Sequence, residues 1–173
     1  MEQNIQKLKN ELSVPAREDG YEVIYAHASG GRVCRHELVD VKGIDYDDVL
    51  EVSIDKATIG CEVHILPTLP EDHPLRSTIF ANAKERKCPD LKIDGRYSEV
   101  KVPTDKPHIR KINKNIRKAH VQADQVIIKL SSSFDVKILA GIAKGRFISH
   151  STLTVIEIKM DGTYHTFKRS DFL

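Results

Sequence analysis

The strongest structural signal in this sequence is an Asp-Gly pair between two segments of strand-forming residues. Asp94-Gly95 follows Leu91–Ile93 and precedes the segment 97–102, which contains one tyrosine and two valines. A two-residue hairpin turn of type I′ needs a positive φ at both central residues, and Asp-Gly is among the pairs that accept it best. The pattern therefore predicts a tight β-hairpin over residues 89–101. The remaining elements must be arranged around its two strands.

This predicted hairpin brings three ionisable side chains together. Counting outward from the turn, Asp90 lies opposite Glu99, and directly opposed residues have Cβ atoms about 5 Å apart. Lys101 follows Glu99 by two residues and therefore points to the same face of the strand. Two opposed carboxylates repel each other, so the pairing is unfavourable unless a cation lies between them. We expect a divalent cation there, Mg²⁺ or Mn²⁺, because hard ions take carboxylate, water and phosphate oxygens. Asp94 is predicted to be a turn residue, and a surface hairpin with scattered charges is the plainer interpretation.

The spacing of Pro89-Asp90 and Glu99-Val100-Lys101 resembles the active-site motif of the PD-(D/E)xK nuclease superfamily. The resemblance implies that Asp90 and Glu99 bind the metal ion, with the Val100 carbonyl as a further ligand. It implies that Lys101 is the catalytic lysine. The metal ion would lower the pKa of a bound water and offset charge on the transition state. The predicted activity is therefore that of a metal-dependent phosphodiesterase, an endonuclease acting on DNA or tRNA.

Two further site residues are implied by the same resemblance. Many members of the superfamily carry an acid on the first core helix, and Glu51 is the best match, with Asp48 and Asp55 as rivals. Members also often have a glutamine after the helix that follows the hairpin, a position that Gln122 occupies here. Each of these residues is equally consistent with a solvent-facing polar position on a helix.

The hydrophobic pattern predicts an α/β (α+β) chain. From residue 45 onward the pattern predicts a helix (45–59), a strand (61–69), a short helix (74–86) and the hairpin (89–101). A helix (108–123), a strand (125–130), a helix (136–147) and a closing hairpin (153–168) follow. The restriction-endonuclease-like αβββαβ core, with its mixed central sheet, has this order of elements. We therefore predict a nuclease-like domain over residues 45–173 with a core over about 45–130. Residues 1–44 are predicted to form an extension, a helix over 1–12 and a β-hairpin over 21–39.

The helix predicted over residues 108–123 has an apolar stripe and a basic face without an acid. We expect the basic face to bind phosphates of a nucleic acid, and it contains Arg110, Lys111, Lys114, Arg117 and Lys118. The whole chain has a formal net charge of only +2. Affinity for nucleic acid must therefore come from a local cluster such as this face, not from the overall charge.

The segment from Cys88 to Thr104, followed by the basic helix and Gln122-Ala123-Asp124, is similar to toxin domains at the C-termini of contact-dependent growth-inhibition proteins. Related domains occur in phage and mobile-element polyproteins. The resemblance implies a nuclease delivered as a module of a larger exported polypeptide, acting in the cytoplasm. It also implies a possible immunity protein as partner. No apolar segment of membrane length appears, so no membrane association is expected, and the chain is predicted to be a monomer or a homodimer.

Two other function classes remain open. The first is a metal-independent ribonuclease, in which histidines such as His64 or His120 act with a lysine and the substrate's 2′-hydroxyl is the nucleophile. The second is a non-catalytic nucleic-acid-binding module that kept a nuclease fold. A binding module has no use for two opposed carboxylates, so the acidic pair favours the enzyme.

Overall fold

The computed structural model describes residues 17–103 and 106–173. The chain divides into two compact units. Among the described residues, the first unit comprises those up to Asn82 together with Cys88–Arg96, and the second comprises those of Ala83–Lys87 and Tyr97–Leu173. The predicted α/β class is confirmed, because strands and helices alternate along the chain. The helix predicted over residues 1–12 lies outside the described residues, and the predicted domain boundary at residue 45 stays a prediction.

The first unit contains five strands, β1 Arg17–Glu18, β2 Tyr21–Ala26, β3 Arg32–His36, β4 Glu62–Ile65 and β5 Leu91–Ile93. β1, β2 and β3 pair in antiparallel order, so the hairpin predicted over residues 21–39 is confirmed. β3 pairs with β4 in parallel, and β4 pairs with β5 antiparallel. The strand predicted over residues 61–69 is shorter than expected. It ends at Ile65, two residues before Pro67, which has no N–H for a ladder hydrogen bond.

Helix α1, Tyr46–Thr58, lies against the strands of the first unit and confirms the helix predicted over residues 45–59. Its apolar side is buried, with Val49, Val52 and Ala57 each less than 7% exposed. The helix predicted over residues 74–86 is only one turn long, α2 Arg76–Ile79. Asn82 and Arg86 have φ values of 64° and 59°, which no α-helix accommodates, and they explain the early end.

The Asp-Gly turn at the end of β5 has the predicted geometry. Asp94 has φ 46° and Gly95 has φ 81°, the two positive values that a type I′ turn requires. The Asp94 backbone N–H donates to Glu62 O at 2.9 Å, and the Asp94 side chain accepts from Glu62 N–H at 2.8 Å. Asp94 is therefore a turn residue, as predicted. Its hydrogen bonds to Glu62 also join the end of β5 to the beginning of β4.

The second unit contains strands β6 Arg96–Lys101, β7 Gln125–Lys129, β8 Val155–Met160 and β9 Thr163–Lys168. β6 pairs with β7 and β7 with β8 in parallel, whereas β8 and β9 form an antiparallel hairpin. Asp161 and Gly162 at its tip have φ values of 49° and 74°, so the closing hairpin is confirmed with a second Asp-Gly turn of the predicted type. β6 begins at Arg96, the last residue of the first unit, and the rest of the strand belongs to the second.

Two helices cover one face of these strands, α3 Ile109–His120 and α4 Val136–Ser149. They pack on a single apolar core in which Ile112, Ile116, Leu139, Phe147 and Ile156 are all inaccessible to solvent. Both helices were predicted, and α4 extends two residues beyond the predicted end at 147. A short 3₁₀ turn, Arg169–Asp171, ends the described elements. In the part of the chain that the structure describes, no helix is both long and apolar enough to cross a membrane.

Candidate active site and basic surface

Glu99 and Lys101 form a tight pair on β6. Lys101 Nζ donates to Glu99 Oε1 at 2.6 Å. The Glu99 side chain is only 4% exposed, whereas that of Lys101 is 32% exposed. A buried carboxylate is costly unless a cation and hydrogen bonds compensate for its lost hydration, and the lysine supplies one such partner. The sequence prediction that these two side chains share one face of the strand is consistent with this contact.

The register of the strands shows which face of the sheet these side chains occupy. Glu99 aligns with Val126 and Lys101 with Ile128 in the parallel β6–β7 ladder. Aligned residues of neighbouring strands point to the same face. Val126 and Ile128 pack in the core beneath α3 and α4. Glu99 and Lys101 therefore lie on the face of the strands that carries the basic helix α3.

Asp90 belongs to the first unit and immediately precedes β5, as the motif predicts. Its backbone carbonyl accepts a hydrogen bond from Leu66 N–H at 3.0 Å, which fixes the start of the strand. The residue is half-buried and lines a cavity of about 300 Å³ with the loop before α1 and the segment after β4. Asp40 and Asp45 line the same cavity.

The acids of helix α1 take different positions. Glu51 is exposed, whereas Asp48 and Asp55, one turn before and one turn after it on the same side of the helix, are half-buried. None of these three lines the cavity beside Asp90, but Asp45, the residue before the first helical turn, does. As the residue before the first helical turn, Asp45 also suits the positive end of the helix dipole. Its position in the cavity depends on the fold of the loop 38–45, for which the sequence carries no signal.

The predicted basic face of α3 is present. Arg110, Lys114, Arg117 and Lys118 are exposed, and Lys111 is half-buried. The helix contains no acid, and its opposite side is buried through Ile112, Ile116 and Ala119. Arg110 and Lys111 lie in the first turn, where the helix dipole is positive and cations are disfavoured. The helix thus carries two cations at a position where they cost stability.

Gln122 and His120 lie at the end of α3. Gln122 is half-buried, and its backbone N–H donates to Ala119 O at 2.8 Å. His120 is 9% exposed. Its Nδ1 is 3.2 Å from Ala123 O and its Nε2 is 3.3 Å from Thr152 Oγ1. Both ring nitrogens of His120 are engaged within the unit, which suits a structural role better than acid–base catalysis.

Several charged groups surround His120. Lys84 donates to the carbonyls of His120 and Ala123, and its Nζ lies 2.8 Å from Asp124 Oδ1. The His120 ring is 4.9 Å from the ring of His150. Burial, and then the charge of Lys84, lower the pKa of His120. Burial, and then Arg146, Lys84 and Arg117, lower the pKa of His150. Both imidazoles are therefore neutral at neutral pH.

We expect acid to destabilise the second unit through these two histidines. An unfolded histidine has a pKa near 6.5, and both folded values lie below it. The unfolded chain thus binds more protons at mildly acidic pH, so stability is complete above about pH 6.5 and falls as the pH drops below it. Urea unfolding between pH 7.5 and 5 measures this loss. The double variant His120→Gln/His150→Gln should show a flatter dependence, and His165→Gln on β9 should retain the steep one. An equal dependence of stability on pH in the wild type and in both variants would contradict this role of His120 and His150.

His64, the other histidine considered for catalysis, belongs to the first unit. It lies on β4, its Nε2 is 3.6 Å from Glu62 Oε1, and its ring contacts Tyr21 edge-on at 4.9 Å. It lines a cavity of about 320 Å³ that also contains Arg32 and Lys92. Arg32 is paired with Glu62 at 2.7 Å.

Within residues 17–103 and 106–173, no group of three or more His, Cys, Asp or Glu side chains is arranged to hold a metal ion. Magnesium commonly uses only one or two protein carboxylates and completes its shell with water and substrate phosphate. The carboxylates of Asp90 and Glu99 are of the ligand type that this ion prefers. Their chemistry is compatible with Mg²⁺ or Mn²⁺, and the metal ion stays a prediction.

Comparison with protein families identifies one segment. Residues 87–164 match the model of the family described as the contact-dependent growth inhibition CdiA C-terminal domain. The matched segment contains Asp90, Glu99, Lys101 and both helices of the second unit. This match agrees with the resemblance to toxin domains of contact-dependent growth-inhibition proteins, whereas the resemblance to the PD-(D/E)xK superfamily stays a prediction.

A comparison with solved structures gives a weak match. The matched structure is described as a CdiA-CT/CdiI toxin and immunity complex from Burkholderia pseudomallei. The match has 18% sequence identity and a TM-score of 0.48, and it covers 75% of this chain and 88% of the other. No curated protein matches the chain in sequence.

Proposed function

We propose that this chain is the toxin domain of a contact-dependent growth-inhibition protein and acts as a metal-dependent nuclease on DNA or tRNA. The observation that carries the proposal is the buried Glu99 carboxylate paired with Lys101 at 2.6 Å, within the segment that matches the toxin family model. An unremarkable surface hairpin would keep both side chains in water, where such a pair contributes little.

In this proposal each residue has a distinct task. Asp90 and Glu99 would hold Mg²⁺ or Mn²⁺, with an acid near α1 as a further ligand. That acid is Glu51 on the motif's evidence, and Asp45 is its rival because it lines the cavity beside Asp90. The ion, when bound, supplies a water of lowered pKa and neutralises charge on the phosphate. Lys101 orients the attacking water, its ammonium held in place by Glu99 Oε1. Gln122 is proposed as a further polar contact at the end of α3.

The basic face of α3 is proposed to bind the nucleic-acid backbone. It lies on the helix that covers the sheet face of Glu99 and Lys101, and four of its five cations are exposed. Each phosphate contact releases condensed counterions, so the affinity should fall steeply with salt. A cell that makes such an enzyme needs protection from it, and we therefore include an immunity protein among the proposed partners. The proposed place of action of the toxin domain is the cytoplasm of the recipient cell.

The test is cleavage of purified nucleic acids by the purified protein. Plasmid DNA and total tRNA are incubated separately with Mg²⁺, with Mn²⁺ or with excess EDTA. We expect one of the two substrates to be cut with either metal ion and neither to be cut with EDTA. Cleavage that is unchanged by EDTA would contradict metal dependence. Binding without cleavage under every condition would favour the non-catalytic binding module.

A further inference from the structure

Arg146 on α4 is held in one orientation by two neutral side chains. Its Nε donates to Asn113 Oδ1 on α3, and its Nη1 lies 3.4 Å from His150 Nε2. A guanidinium can only donate, so His150 Nε2 is the acceptor and the ring carries its proton on Nδ1. The guanidinium, half-buried between these two partners, is therefore fixed in place while its positive charge is kept.

The surroundings of Arg146 are cationic. Burial, and then the charge of Arg117, lower the pKa of Arg146. The charges that act on His150 are those of Arg146, Lys84 and Arg117, and none of them is a carboxylate. The nearby acid, Asp124, has its Oδ1 2.8 Å from Lys84 Nζ. Among the described residues, no ion pair joins a carboxylate to Arg146 or Arg117 within 4.0 Å.

Such a group is costly for the protein alone and well suited to an anion. Like charges that face each other destabilise the fold, and partial burial of a guanidinium adds a desolvation cost. A bound phosphate would offset both. Guanidinium groups bind phosphate through two parallel hydrogen bonds, and an arginine fixed beforehand loses less conformational entropy on binding. Asn113 orients the side chain without neutralising it, which an aspartate would do.

We propose that Arg146, together with Arg117, binds a phosphodiester of the nucleic-acid backbone, with Asn113 and His150 as positioning residues. The inference rests on the proposed function and extends the interface from the basic face of α3 onto α4. The ligand chemistry is a phosphodiester, which RNA and DNA both offer. The test therefore uses a tRNA and a DNA duplex as separate probes.

The experiment measures affinity in the Glu99→Gln background, where no cleavage is expected, by fluorescence anisotropy across a series of salt concentrations. Arg146→Gln should weaken binding by about fivefold to tenfold at moderate salt and reduce the salt slope by about 1, the effect of one lost phosphate contact. Asn113→Asp should weaken binding to a similar extent, because a carboxylate there neutralises Arg146 while stabilising the fold. The matched control is Lys144→Gln, which removes a charge from the opposite side of α4 and should change the affinity less than twofold.

The outcomes separate this inference from the proposed function. If Lys114→Gln on α3 weakens binding but Arg146→Gln behaves like Lys144→Gln, the site on α4 is wrong and the interface on α3 stands. If the protein with Glu99→Gln alone binds neither tRNA nor the DNA duplex, both the site on α4 and the proposed nucleic-acid interface on α3 are wrong. If Arg146→Gln weakens binding but Asn113→Asp does not, the positioning role of Asn113 is overturned. Loss confined to one probe identifies the nucleic acid whose phosphate is bound.

Discussion

Glu99→Gln is expected to abolish nucleic-acid cleavage, with a loss of at least about 10³-fold. The substitution keeps the shape of the side chain but removes the charge that would hold a divalent cation and position the Lys101 ammonium. Interactions that stabilise charge in the transition state are commonly worth several kcal/mol, which sets the scale of the loss. The measurement is the initial rate of cleavage of the preferred substrate with saturating Mg²⁺.

The control for this variant is Asp94→Asn, the same acid-to-amide change elsewhere in the predicted hairpin. Asp94 accepts a hydrogen bond from Glu62 N–H through a side-chain oxygen that asparagine also has, and asparagine tolerates the positive φ of the turn. It should retain nearly full activity. Removing one interaction that stabilises the transition state should lower the rate by more than about tenfold. If Glu99→Gln keeps more than about a tenth of the wild-type rate, the role of Glu99 as a metal ligand is wrong.

Lys101→Met is expected to cost about 3 kcal/mol of unfolding free energy in addition to activity. The substitution removes the ammonium that lies 2.6 Å from Glu99 Oε1, and loss of a cation beside a buried carboxylate is costly because Glu99 is the more deeply buried of the two side chains. The cost lies at the low end for such pairs because Lys101 is partly exposed. Urea unfolding at pH 7.5 measures it.

The double variant Glu99→Gln/Lys101→Met distinguishes a broken ion pair from a packing defect. If the loss comes from an uncompensated Glu99 charge, the double variant should be more stable than Lys101→Met alone, since no charge remains buried. Additive losses would instead mean that each side chain contributes independently through its contacts. Glu99→Gln alone should cost a little stability, because Lys101 loses its charged partner.

Local patterns were sufficient to predict most elements of this chain. Both Asp-Gly turns were predicted because positive φ at two successive residues is a local requirement that few residue pairs meet. Helix α3 was predicted because its apolar residues recur at helical spacing and its cations occupy the other side. The short α2 was not predicted, because the positive φ of Asn82 and Arg86 is imposed by the surrounding structure, not by the apolar spacing of residues 74–86. β1, which precedes the hairpin predicted over residues 21–39, was not predicted and is only two residues long.

The contacts among charged side chains were the part that sequence could not supply. The Glu99–Lys101 pair follows from a spacing of two residues along one strand, and it was anticipated. The cluster of Asn113, Arg146 and His150 joins two helices whose relative rotation is fixed by the buried core, so no local pattern predicts it. Likewise, Asp45 shares a cavity with Asp90 only because the loop before α1 folds against the end of β4.

The central claim is that a metal-activated water cleaves the phosphodiester, and the chemical ends of the products test it most directly. Labelled tRNA and plasmid DNA are cut in Mg²⁺, then in EDTA, then after Mg²⁺ is restored, and the ends are identified by mass spectrometry. The account predicts cleavage only with the metal ion, a linear phosphate on one side of each cut, and no products from Glu99→Gln. Cleavage of RNA in EDTA with 2′,3′-cyclic phosphate ends would contradict it, because those ends require the substrate's own hydroxyl as nucleophile.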